Sequence, residues 1–188
     1  MLAAEAAIVH RLALTPNRIS ALGIILAFLA ALSYTQWQTS NLYLVAAIIL
    51  LLLSGFCDAL DGVVARIYQQ ATPFGGFLDS LLDRYADAAI YTAIIVSGLC
   101  DPLWGLTALT GSLLVSYSRA RAEAADLKME SIGLAERAER IIILVTATLA
   151  ATFWQPATVM NWSIIVLAIL ANLTVIQRAY YVYRKLKK

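Results

Sequence analysis

Apolar runs follow one another along the chain at roughly residues 18–35, 42–66, 75–98, 103–124, 135–154 and 160–183. Each is near the ~20 helical residues that a bilayer's hydrocarbon core requires. None shows the two-residue alternation of a half-buried strand. Between them lie the polar breaks QWQTSN, QQATPFG, CDP, ADLKMESIGL and WQPATVM, rich in turn-forming residues. The pattern predicts an all-α polytopic membrane protein with six transmembrane helices, bundled over residues 18–184 in a single domain that spans residues 1–188. Ahead of the bundle, Leu2, Ile8, Val9, Leu12 and Leu14 are spaced around Glu5, His10 and Arg11. That spacing predicts a short N-terminal interfacial helix over residues 1–14.

Composition strengthens the membrane reading. Of 188 residues, 61% are hydrophobic and 14% charged, with a mean hydropathy of +0.77, more apolar matter than a soluble domain hides from water. The first residues have neither a basic region ahead of an apolar one nor a small-residue cleavage site, so no removable signal peptide is expected. Cys57 and Cys100 lie far apart in or beside apolar stretches and read as small apolar side chains. His10 lacks a partner at metal-ligand spacing and reads as an interfacial residue. Trp37, Trp104, Trp154 and Trp162, with Tyr180, Tyr181 and Tyr183, lie near segment ends, as an aromatic belt does. Gly105 and Gly111 suit close helix packing or a dimer face.

The 14 Lys and Arg residues cluster at one set of segment ends, and the opposite connections carry only Asp101. Basic residues are retained on the cytoplasmic side. Both termini and the candidate reactive groups are therefore expected to face the cytoplasm from the cell membrane. The bilayer is an expected partner and nucleic acid is not.

One stretch, from Cys57 to Ala88, places several carboxylates against this apolar background, where charge is costly and by default marks function. Asp58 and Asp61 are three apart and share a helix face; Asp79 and Asp83, four apart, share another. The QQATPFGG segment between the pairs reverses the chain, so the pairs can meet. Four carboxylates brought together repel unless positive charge lies between them. Oxygen-only ligands favour Mg²⁺, Mn²⁺ or Ca²⁺ over zinc, and two such ions can clamp a pyrophosphate. Gly62, Ala65 and Gly75 or Gly76 lack bulk, and Arg66 is placed to meet phosphate charge. The alternative is a structural network pairing the aspartates with Arg66 and Arg84. Asp87, one turn deeper, reads equally as a fifth site residue or as a partner of a basic side chain.

The stretch has the form D-x-x-D-G-x-x-A-R, eight residues, then G-x-x-x-D-x-x-x-D, from Asp58 to Asp83. It resembles the signature of the CDP-alcohol phosphotransferase family at every fixed position. The resemblance implies metal-dependent transfer of a phosphatidyl-type group from a CDP-linked lipid to a small alcohol, with release of CMP. By the same resemblance Asp58, Asp61, Asp79 and Asp83 hold two divalent cations, Mg²⁺ or Mn²⁺, and Asp83 also serves as the catalytic base. It further implies that Asn17, Arg18, Ile19, Ser20, Gly62, Arg66 and Thr72 line the CDP-lipid pocket, and that the enzyme is a homodimer. Thr15-Pro16-Asn17 reads equally as a cap and N1 proline that start the first helix.

A second region bears on the acceptor. Arg119 and Arg121 end the fourth segment, Arg137 and Arg140 begin the fifth, and Arg178 lies in the sixth. Arginines at several helix ends suit forked hydrogen bonds to a phosphate. The positive-inside tendency alone explains many such residues, although Arg140 and Arg178 lie within apolar runs where topology does not require them. S-Y-x-x-A-R-A-E-A, then A-E-R-x-E-R, then Q-R resembles the inositol-phosphate branch of the family, with Arg119, Arg140 and Arg178 on the acceptor phosphate and Arg121 and Arg137 beside them. Ala138, where bacterial members carry proline, favours CDP-archaeol over CDP-diacylglycerol as donor, with inositol phosphate as acceptor. Glycerol 3-phosphate as acceptor, or CDP-inositol as donor to inositol phosphate, are the rival readings within the family. A cation transporter with an acidic intramembrane site is the rival from another class.

Overall fold

The computed structural model describes residues 15–129 and 132–187. The expected interfacial helix at residues 1–14, with His10 and Arg11, lies outside the described residues. Those described are all-helical: α1 (Pro16–Thr35), α2 (Leu42–Ile67), α3 (Pro73–Val96), α4 (Pro102–Glu123), α5 (Arg137–Ala151) and α6 (Pro156–Leu186). Three of the six, α1, α2 and α6, are long and apolar enough to cross a membrane. By contrast α5 has 15 residues, about 22 Å at the rise of an α-helix. Of the described residues, those up to Ile90 form one compact unit and those from Tyr91 another, with the division falling inside α3.

In the first unit, α1 packs on α2 through small side chains. Gly23, Ala27, Ala30 and Ala31 are buried, with the larger Ile19 and Tyr34 buried on either side of them, while Leu22, Ile25, Phe28, Leu29 and Leu32 face outward. Small residues within and large apolar ones without is the arrangement of helices that approach each other closely in lipid. Ser54 Oγ donates to the Gly23 carbonyl at 2.9 Å, and a Cβ on Gly23 would stand 3.2 Å from Cys57 Cβ. Ile19, Cys57, Leu60 and Val64 form the core at the end of this contact that lies nearest the aspartates.

In the second unit, α6 packs against α4 and α5. A Cβ on Gly111 would stand 2.7 Å from Asn172 Nδ2, and one on Gly105 would overlap Ile95. Both glycines thus serve packing inside this unit. Asp101 caps α4 by accepting from the Leu103 N–H at 2.9 Å, and its own N–H donates to Asn161 Oδ1 at 2.8 Å. Burial, with Asp101 beside it, pushes the Cys100 thiol up to about 11, so it stays protonated and uncharged.

Candidate metal and nucleotide site

The first unit carries the aspartates at the end of α2 and the start of α3. α2 closes with a turn in which the Gln69 N–H donates to Arg66 O at 3.4 Å and the Gln70 N–H to Ala65 O at 2.9 Å. This closure requires a left-handed residue at its bend; Gln69 supplies it with φ 52°. Three residues later Thr72 Oγ1 accepts from the Gly75 N–H at 3.0 Å, and Pro73 follows it as the first helical residue of α3. A hydroxyl cap followed by proline is a strong start signal for a helix. The chain is thereby reversed within a few residues, and the carboxylates of both helices are brought to one place.

Asp58, Asp79 and Asp83 each offer a carboxylate oxygen within 4.8 Å of the others, at half-buried positions. Three hard oxygen donors from two helices, with no thiolate or imidazole among them, fit a divalent cation of the Mg²⁺ or Mn²⁺ kind. Asp61 stands apart from this trio. It is buried, and its Oδ2 accepts a 2.5 Å hydrogen bond from Ser20 Oγ of α1. Asp83 also meets Arg84 Nη1 at 3.6 Å, while the Arg84 guanidinium donates to the Ser80 carbonyl. Asp87 is buried one turn further along α3 and lies outside the trio.

Beside the trio lies an open cleft of about 190 Å³ whose wall includes Asn17, Ser20, Gly62, Arg66, Thr72 and Asp79. Asp79 belongs to both cleft and trio, which makes them one site. Five of the seven residues expected to contact the CDP-lipid are therefore on this wall. The other two are not: Arg18 is exposed, and the side chain of Ile19 turns into the core with Cys57, Leu60 and Val64. Arg66 folds back over its own helix, its Nη1 3.5 Å from where a Cβ on Gly62 would be. Gly75 has equally little room, since a Cβ there would lie 3.0 Å from Thr72 Oγ1 and 3.1 Å from Asn17 Oδ1. Thr15 precedes α1 without a side-chain cap bond, and Pro16 opens the helix.

The candidate acceptor residues lie in the second unit. Arg178 is buried, and each of its three guanidinium nitrogens donates one hydrogen bond within the fold. Nε donates to Ile132 O at 2.7 Å, Nη1 to Val115 O at 2.6 Å, and Nη2 to Glu136 Oε1 at 3.0 Å. Arg140, also buried, donates from Nη1 to Ala135 O at 3.0 Å. Arg119 pairs with Glu123 at 2.9 Å in an exposed i,i+4 bridge, Arg121 is exposed, and Arg137 is half-buried at the start of α5.

The CDP-alcohol phosphatidyltransferase family model matches residues 13–183. The chain belongs to this family. The transferase is 44% identical over 180 residues to archaetidylinositol phosphate synthase of Methanothermobacter thermautotrophicus, a match covering 96% of this chain and 89% of that protein. Phosphatidylinositol phosphate synthase of Mycobacterium tuberculosis, solved with CDP-DAG bound, superposes with a TM-score of 0.78 at 30% identity, covering 95% of this chain and 91% of that one. The same enzyme in complex with manganese and citrate gives a TM-score of 0.81 at 29% identity, over 97% and 89% of the two chains. The transferase is thus a membrane enzyme of the CDP-alcohol phosphotransferase class.

Some contacts that shape the transferase's two units carry no signal in a linear reading. Glu136 accepts from Arg178 across 42 positions, and Thr174 binds the turn ahead of α5. Asn17 packs against Gly75 only because α1 and α3 begin side by side. The spacing of Thr174 and Arg178, four apart on an apolar helix, is the one hint that both point the same way.

Proposed function

We propose that the transferase moves an archaetidyl group from CDP-archaeol, or a phosphatidyl group from CDP-diacylglycerol, to inositol phosphate and releases CMP. The observation that supports it best is the sharing of Asp79 between a carboxylate trio suited to divalent cations and a cleft with Arg66 and two hydroxyl side chains on its wall. Asp58, Asp79 and Asp83, with Asp61 beside them, would hold two Mg²⁺ or Mn²⁺ ions. When bound, such ions offset phosphate charge and make a hydroxyl near them more acidic. Asn17, Ser20, Gly62, Arg66 and Thr72 bind the cytidine diphosphate, and the forked donors of Arg66 suit its phosphate oxygens. Asp83 accepts the proton of the acceptor hydroxyl as that oxygen bonds to the lipid-bearing phosphorus and the bond to CMP breaks.

Arg119, Arg140 and Arg178, with Arg121 and Arg137, bind the acceptor's phosphate. The identity with archaetidylinositol phosphate synthase supports this choice of acceptor. The six helices cross the membrane, with the site on the cytoplasmic side. The basic residues gathered at one set of helix ends support that orientation. So do Arg184, Lys185 and Lys187, which stack over Tyr180, Tyr181 and Tyr183 at the end of α6. The enzyme works as a homodimer.

The test is CMP release from CDP-archaeol or CDP-diacylglycerol by purified protein with Mg²⁺ or Mn²⁺, offered inositol phosphate, glycerol 3-phosphate or free inositol in turn. Turnover is expected with inositol phosphate above the others. Equal turnover with free inositol would remove the arginines from acceptor recognition.

A further inference from the structure

Thr174 lies on α6, fully buried, one turn before Arg178. Its Oγ1 accepts the backbone N–H groups of Leu134 and Ala135, each at 3.1 Å, and donates to Leu170 O at 2.8 Å. The same turn is held at two carbonyls, Ile132 O by Arg178 and Ala135 O by Arg140. Gly133, between these anchors, has φ 140°, where side chains are strained. A Cβ there would collide with Thr174 Cγ2 at 2.4 Å. The turn therefore lies against α6 at a distance only glycine allows, and the Thr174 hydroxyl sets its register.

The placement has a direction. Helix α5 begins at Arg137, two residues past Ala135, and its first turn carries both Arg137 and Arg140. Whatever fixes residues 132–136 fixes where those guanidinium groups are presented, and Arg178 is held by the same peptide groups. We propose that Thr174 and Gly133 are positioning residues for acceptor recognition: they lock the turn that presents Arg137 and Arg140, and touch no substrate themselves. The proposal rests on the reading of these arginines as ligands of the acceptor's phosphate. A side chain that keeps the shape of Thr174 without its oxygen leaves the buried Ala135 N–H and the part-buried Leu134 N–H without their acceptor, and the turn must shift to satisfy them.

The test uses the full-length enzyme in detergent, with CMP release followed while CDP-lipid and inositol phosphate are varied separately. Thr174→Val is expected to raise KM for inositol phosphate about tenfold or more, as misplacement of a binding group does. KM for the CDP-lipid and kcat should change by less than about twofold, because α1–α3 carry those functions. Thr174→Ser restores the hydroxyl and should return the acceptor KM towards wild type. Gly133→Ala should act as Thr174→Val does, and it carries the test if the valine variant does not fold. Hydrogen exchange at the Leu134 and Ala135 amides should quicken in the valine variant and recover in the serine one.

An unchanged acceptor KM in a folded valine variant overturns the proposal. So does a fall in kcat and both affinities together that serine does not rescue, since that marks a general packing role. If wild type turns over glycerol 3-phosphate and not inositol phosphate, the acceptor reading fails instead, and the same KM split measured with glycerol 3-phosphate decides the role of Thr174.

Discussion

Ser20 Oγ donates a 2.5 Å hydrogen bond to Oδ2 of Asp61, joining α1 to α2 at the wall of the cleft. A hydroxyl bonded to a buried carboxylate is worth about 1.5–3 kcal/mol. Ser20→Ala lets Asp61 turn and removes a polar atom from the wall. KM for the CDP-lipid is expected to rise about tenfold, with kcat less affected and Ser20→Thr close to wild type. Steady-state CMP release at saturating acceptor measures this, and an unchanged lipid KM in Ser20→Ala would detach that bond from donor binding.

Gln69 bends the chain between α2 and α3 at φ 52°, a conformation that costs a residue with a Cβ about 1 kcal/mol relative to glycine. Two other helices close the same way, α3 with Gly98 at φ 71° and α4 with Asp126 at φ 58°. Gln69→Gly should therefore raise the thermal midpoint by about 2–4 °C. Differential scanning fluorimetry in detergent reads the shift, and a lowered midpoint would mean that the Gln69 side chain contributes more than its backbone costs.

Close approach of α1 and α2 at Gly23 predicts intolerance of bulk. A Cβ there would face Cys57 Cβ at 3.2 Å and the Ser54 carbonyl oxygen at 3.6 Å, neither of which can swing away. Gly23→Val should lower stability by about 1–3 kcal/mol. Gly76, with open space where its Cβ would be, should accept alanine with an unchanged or higher midpoint. Thermal midpoints of the two variants side by side check this, and equal behaviour would contradict the packing described.

Much of this architecture was legible in the linear chain because lipid imposes long apolar runs and polar breaks. The segment expected at 42–66 is α2 at Leu42–Ile67, and that expected at 103–124 is α4 at Pro102–Glu123. The end helices were harder to bound. α6 starts at Pro156, four residues before the expected 160, because proline is favoured at a first helical position. α5 begins at Arg137 rather than 135, since Ala135 is held in the preceding turn by Thr174 and Arg140.

In the site, the i,i+3 and i,i+4 spacings showed which carboxylates share a helix face, but not that Asp61 turns to Ser20 while Asp58 joins Asp79 and Asp83. That depends on the rotation of α1 against α2. The same rotation sends the Ile19 side chain into the core, although Asn17 and Ser20 on either side reach the cleft. Contacts across 40 or more positions, such as Thr174 to Leu134 and Arg178 to Glu136, have no local signature.

The central claim is that carboxylates of α2 and α3 gather divalent cations for a CDP-linked lipid bound beside them. The most direct measurement is CMP release by chelator-stripped enzyme as Mn²⁺ is added back, for wild type and Asp79→Asn. Activity should vanish on chelation and return with Mn²⁺ in wild type, while the variant, lacking the carboxylate common to trio and cleft, stays at background. Turnover that survives chelation, or an Asp79→Asn enzyme that recovers like wild type, would contradict the account.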